Sequence, residues 1–158
     1  MAQKMYPDFL ELLRVLEKHK VAYALIGGYA VGIYAEPRAT KGLDLIVAPT
    51  PKNAKALLKA LKEFGAPIDN LSEQDLVKPG LLYVFGVPPL RVDILNRLKG
   101  VDVMQIVKKA KRVKLGDTTL RVIEIDDLIH VKTLAGRPQD KVDVKALKKV
   151  KTAHTGGD

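Results

Sequence analysis

The chain has 158 residues, 47% of them hydrophobic and 28% charged, with 27 Lys and Arg against 18 Asp and Glu for a formal charge of +9, and no cysteine. A chain of this length buries enough surface to fold without disulfides or structural metal, and its mixed composition excludes a disordered or fibrous protein. It lacks an apolar run of about 18 residues and a charged-then-apolar leader, so neither a membrane span nor a secretion signal is expected; with no cysteine, a cytoplasmic location is expected.

The excess positive charge is uneven. Residues 1–98 carry 13 cations and 10 anions, whereas 99–158 carry 14 and 8, with the densest cluster in KKAKRVK at 108–114. A basic surface suits nucleic acid, nucleotide or another acidic partner. No aromatic residue follows Phe85, which argues against base-stacking platforms in the more basic part.

In chain order, PDFLELLRVLEKHK (7–20) places Phe9, Leu10, Leu12, Leu13 and Leu16 at near-helical spacing, predicting a helix with one apolar side. VAYALIGG (21–28) reads as a buried strand ending in glycines, YAVGIYA (29–35) as a short helix and LDLIV (43–47) as a second strand. Between Pro51 and Gly65, Ala54, Leu57, Leu58, Leu61 and Phe64 share one helical face. LLYVFG (81–86) and LRVDIL (90–95) read as paired strands, residues 101–112 as a helix and RVKLGDTTLRVI (112–123) as a hairpin about Gly-Asp. Two helices follow, DDLIHVKTLAG (126–136) and PQDKVDVKALKKV (138–150). This order predicts an α+β (α/β) chain, a mixed sheet flanked by helices with a C-terminal hairpin and two helices. Residues 1–151 are expected to form a single domain and 152–158 a disordered tail.

The chemistry concentrates in IGGYAVGIYAEPRATKGLDLIV, residues 26–47. Gly27 and Gly28 stand where a strand becomes a helix; without Cβ atoms they serve either a tight turn or a close approach of backbone N–H groups to phosphate. Asp44 interrupts one apolar strand and Asp93 another, in RVDIL. Ionised carboxylates there need a partner, and two on neighbouring strands fit a hard cation, with neutralisation by Arg38 or Arg91 as the alternative.

These residues resemble the signature of the nucleotidyltransferase superfamily with the polymerase-beta-like fold. In that signature a Gly-Gly pair is followed by an Asp-x-Asp pair on the next strand and by a third Asp on a later one. Thirteen residues, 29–41, separate Gly28 from position 42, where Gly42 stands in the place of the first Asp. DLIHVKTLAGRPQDKVDVKAL is similar to the C-terminal part of small members related to the AbiEii-type toxins of toxin–antitoxin systems. The resemblance implies a nucleotidyltransferase-like domain that transfers a nucleoside monophosphate from a nucleoside triphosphate to an RNA, protein or small-molecule acceptor. It implies catalytic and metal-ligating roles for Asp44 and Asp93, with Mg2+ or Mn2+, and nucleotide contacts from Gly27, Gly28, Tyr29, Arg38, Lys132 and Asp140. An antitoxin or toxin partner belongs to the same implication. The missing carboxylate at Gly42 implies impaired chemistry or a non-catalytic module that binds nucleotide, RNA or a partner protein.

Overall fold

The computed structural model describes residues 4–156. Its elements are α1 (Pro7–Lys18), β1 (Tyr23–Ile26), α2 (Gly27–Tyr34), β2 (Gly42–Val47), α3 (Pro51–Phe64), α4 (Glu73–Val77), β3 (Leu82–Phe85), β4 (Arg91–Leu95), α5 (Val103–Lys109), β5 (Lys111–Leu115), β6 (Thr118–Val122), α6 (Ile125–Ala135) and α7 (Pro138–Gly156). The strands form one mixed sheet in the order β3-β4-β2-β1-β6-β5. β1 pairs antiparallel with β2, and β2 pairs parallel with β4, so the two acid-bearing strands are neighbours.

All four residues of β1 are buried, as a strand covered on both faces requires. α1 contributes Phe9, Leu12, Leu13 and Leu16 to the core, and α3 contributes Ala54, Leu57 and Leu61. Buried polar groups lock the framework where the sheet alone would leave backbone groups unpaired. The Asn53 side chain accepts from the Ala22 amide and donates to the Ala22 and Ala48 carbonyls, tying α3 to the strand ends. Asn96 does the same beside β4, accepting from the Gly80 and Leu81 amides and donating to the Leu76 and Lys78 carbonyls.

Several boundaries differ from the sequence reading. The glycine pair is the first turn of α2, whose N-cap is Ile26, rather than the end of β1. The helix expected over 101–112 ends at Lys109, and Lys111 already belongs to β5, where pairing with β6 outweighs the helix preference of the lysines. α4 is an additional short helix closed by a reciprocal Ser72–Asp75 capping box. α7 continues through Gly156 and so includes residues 152–156 of the expected tail; residues 157–158 lie outside the described residues. Among the described residues, no helix is long and apolar enough to cross a membrane.

Candidate active site

Asp44 and Asp93 face each other across the β2–β4 ladder as register partners on adjacent strands. In-register residues of paired strands share a face, so both carboxylates rise from the same side of the sheet. Ile26, the last residue of β1, is the register partner of Asp44 on its other flank. The chain then turns into α2 at Gly27, whose φ is +73° and whose Cβ, if present, would stand 2.2 Å from Asp44 Oδ2. Only glycine therefore allows the start of α2 to lie beneath the carboxylate.

These groups line a cleft of about 260 Å3 together with Lys132, Arg137 and Asp140 and an apolar wall that includes Leu98, Leu128 and Val131. The two acids are not equivalent. Arg91 holds Asp93 through Nε to Oδ1 at 2.7 Å and a guanidinium nitrogen to Oδ2 at 3.2 Å. Asp44 has charged neighbours but, among the described residues, no side-chain hydrogen bond. Burial first, and then the Asp93 charge, push its pKa up to about 6, partly opposed by Lys132, Arg91 and Arg137.

The opposite wall is a buried ionic network built by α6 and α7. Lys132 Nζ lies 3.1 Å from Asp140 Oδ1 and 3.0 Å from Asp143 Oδ2, and all three side chains are at most 8% exposed. Arg137 covers Asp140 with Nε at 2.6 Å and with its backbone amide at 3.1 Å. Burial raises the Asp140 pKa, but the bonds from Arg137 and Lys132 outweigh this and hold it at about 2. From the loop before β2, Arg38 grips Asp143 with Nε at 3.1 Å and a terminal nitrogen at 2.9 Å.

Of the residues singled out in the sequence, Gly27, Asp44, Asp93, Lys132 and Asp140 meet in one cleft. Gly28, Tyr29 and Arg38 do not line it. A Cβ on Gly28 would stand 3.0 Å from Thr40 and 3.2 Å from the Arg38 guanidinium, so the preceding loop covers this glycine. Tyr29 is 4% exposed and packs edge-on against Phe9. With Arg38 it borders a separate cavity that also includes Tyr6 and Thr40. Asp143 is absent from the sequence-based set; its spacing of three residues from Asp140, the same as that from Arg137 to Asp140, was the available signal.

Asp44 and Asp93 are the two carboxylates of the sheet that could hold a divalent cation. Asp44 and Asp93 offer carboxylate oxygens from one side of the sheet, which suits Mg2+ or Mn2+ once Arg91 yields Asp93. Among the described residues, no group of three or more His, Cys, Asp or Glu is placed to hold a metal. Glu36 is exposed and does not line the cleft. At Gly42 an added Cβ would stand 2.0 Å from the Arg91 carbonyl oxygen, so the β2–β4 pairing is closed to any side chain there.

A model of the family described as nucleotidyl transferase of unknown function (DUF2204) matches residues 6–156. The chain belongs to this family. Its sheet and helices are similar to those of lincosamide antibiotic adenylyltransferase LnuA, solved with lincomycin bound, at a TM-score of 0.56 and 13% identity over 94% of this chain and 99% of that one. They are also similar to an antigenic nucleotidyltransferase-like protein from Paracoccidioides brasiliensis, at a TM-score of 0.54 and 17% identity over 92% of this chain and 77% of the other. At these identities the likeness is one of fold. No curated protein matches the chain. The mixed α/β fold and the superfamily expected from the glycine pair and the separated aspartates are therefore both met.

Proposed function

We propose that the chain binds a nucleoside triphosphate with a single divalent cation in the Asp44–Asp93 cleft and transfers its nucleoside monophosphate slowly to an acceptor hydroxyl. The observation that carries this reading is the register of Asp44 with Asp93 beside Gly27, facing Lys132 and Arg137. Bound there, a cation supplies charge neutralisation and orientation of the phosphates. The Arg137 side chain, 74% exposed, bonds Asp140 through Nε; on exchanging that bond it would reach phosphate oxygens while the backbone amide keeps hold of Asp140. Lys132 adds positive potential from a fixed position, because two aspartates hold its ammonium. In the transfer, the acceptor oxygen bonds to the α-phosphorus and the α–β anhydride bond breaks. Pyrophosphate leaves with the bonding electrons, and the acceptor proton passes to water through the open side of the cleft.

The same reading takes Gly42 as the replacement of a carboxylate that relatives use, which lowers the fixed negative charge of the site by one and accounts for slow transfer. It also includes a single catalytic domain over 1–151, a cytoplasmic setting, a relation to AbiEii-type toxins with an antitoxin or toxin partner, and a basic surface suited to RNA or protein acceptors. The test is binding of ATP with and without Mg2+ to the parent and to Asp44→Ala, alongside transfer from an α-labelled triphosphate. Loss of Mg2+-dependent binding in the variant is expected; unchanged affinity refutes the site.

A second reading is a non-catalytic nucleotide-binding or partner-binding module. Two observations favour it: Arg91 already occupies Asp93, and position 42 is packed against backbone. Triphosphate binding without any transfer of label selects it.

A further inference from the structure

A second opening adjoins the cleft and has a different chemical character. It holds about 380 Å3 between the turn that follows β4 and the end of α6. Leu98, Val131 and Ala135 line both spaces, so the two are neighbours that share a wall. Beyond this shared wall the groove is formed by Val101 and Leu134, with Lys99 as its single charged residue. Leu134 remains 52% exposed. The turn preserves this exposure: Gly100 has φ +73°, and a Cβ there would press to 3.3 Å from Leu134 Cδ1.

We propose that this groove is the acceptor subsite, and that it takes a small molecule with an apolar body, neutral or anionic, whose hydroxyl lies toward Asp44; the assignment rests on the nucleotidyl-transfer reading. Its volume falls in the range of small-molecule sites. The lining lacks the aromatic faces and convergent polar side chains that hold a nucleobase, so the base of the triphosphate is not its occupant. A lone cation with no acid in the lining disfavours a cationic acceptor. A polymeric acceptor would meet an apolar floor where its phosphates or peptide groups need polar partners.

The full chain is titrated with 4-phenyl-1-butanol while its backbone amide resonances are followed, with adenosine and glycerol as comparison probes. Saturable shifts confined to residues 98–101 and 131–135, weakened at least tenfold in Leu134→Glu, are expected; Leu134 is exposed, so the variant retains its fold. Absence of saturation, equal binding by Leu134→Glu, or tighter binding of adenosine in the groove overturns the proposal. ATP with Mn2+ is then added, and bound Mn2+ should broaden the carbinol protons of the alcohol more than its ring protons; the reverse order also overturns the proposal. If ATP and Mn2+ fail to bind while the alcohol saturates the groove, the nucleotidyl-transfer reading fails instead, and the acceptor assignment falls with it.

Discussion

Replacing Asp44 by Asn should stabilise the chain when no divalent cation is present, and only above the acidic range. Burial, followed by repulsion from Asp93, raises the Asp44 pKa from 3.8 to about 6. Below the lower value the carboxyl is neutral in folded and unfolded chains alike and contributes nothing. Between the two values the unfolded chain has already lost the proton that the folded chain keeps, so stability falls as pH rises, and above the upper value the full penalty stands. A shift of about 2 units corresponds to about 3 kcal/mol. Because the carboxyl lines an open cleft, solvent screening reduces this to about 1–2 kcal/mol. For a chain of this size that is a rise in Tm of about 2–8 °C for Asp44→Asn at pH 8, vanishing near pH 3.5. Differential scanning calorimetry in EDTA across that range provides the assay. A lower Tm for the variant at pH 8, or a gain that persists at pH 3.5, would refute the electrostatic reasoning.

Lys132→Met should cost about 1–3 kcal/mol in urea unfolding, because Asp140 and Asp143 lose the cation they share while each keeps an arginine. Asp140 titrates below its unfolded value, so its contribution is present above pH 3.8 and lost as pH falls through about 2; acid unfolding followed by circular dichroism should show a shallower loss for Asp140→Asn. Gly42→Asp should lower stability by about 3 kcal/mol, since its Cβ meets the Arg91 carbonyl, and a thermal melt equal to the parent would contradict the packing described for β2 and β4. Tyr23→Phe should cost about 1–3 kcal/mol, because the phenol oxygen accepts from the Arg121 amide and its hydroxyl donates to Glu17; chemical denaturation measures it.

Asp44 and Asp93 were legible in the sequence because each breaks an apolar strand, a pattern with few explanations. Tyr29 and Arg38 stand close in sequence to the glycine pair but lie outside the cleft. A helix turns about 100° per residue, so one step beyond Gly28 directs Tyr29 toward Phe9. Arg38 is drawn instead to Asp143, 105 residues away, a contact that no local pattern encodes. Asp143 itself sits in a helix rich in lysine, which reads as a solvated face; its burial arises from Arg38 and Lys132 converging on it. α4 was missed for a simpler reason: five residues are too few for helical periodicity to register. At Gly42 the sequence revealed that a side chain is missing, but the closeness of the Arg91 carbonyl is a property of the strand pairing.

The most direct test is the number of divalent ions held beside a triphosphate. Mn2+ titration followed by electron paramagnetic resonance, with a non-hydrolysable ATP analogue present, should give one bound ion per parent chain and none per Asp44→Asn chain. Two ions per parent chain, or one retained by the variant, would contradict a single-cation site centred on Asp44.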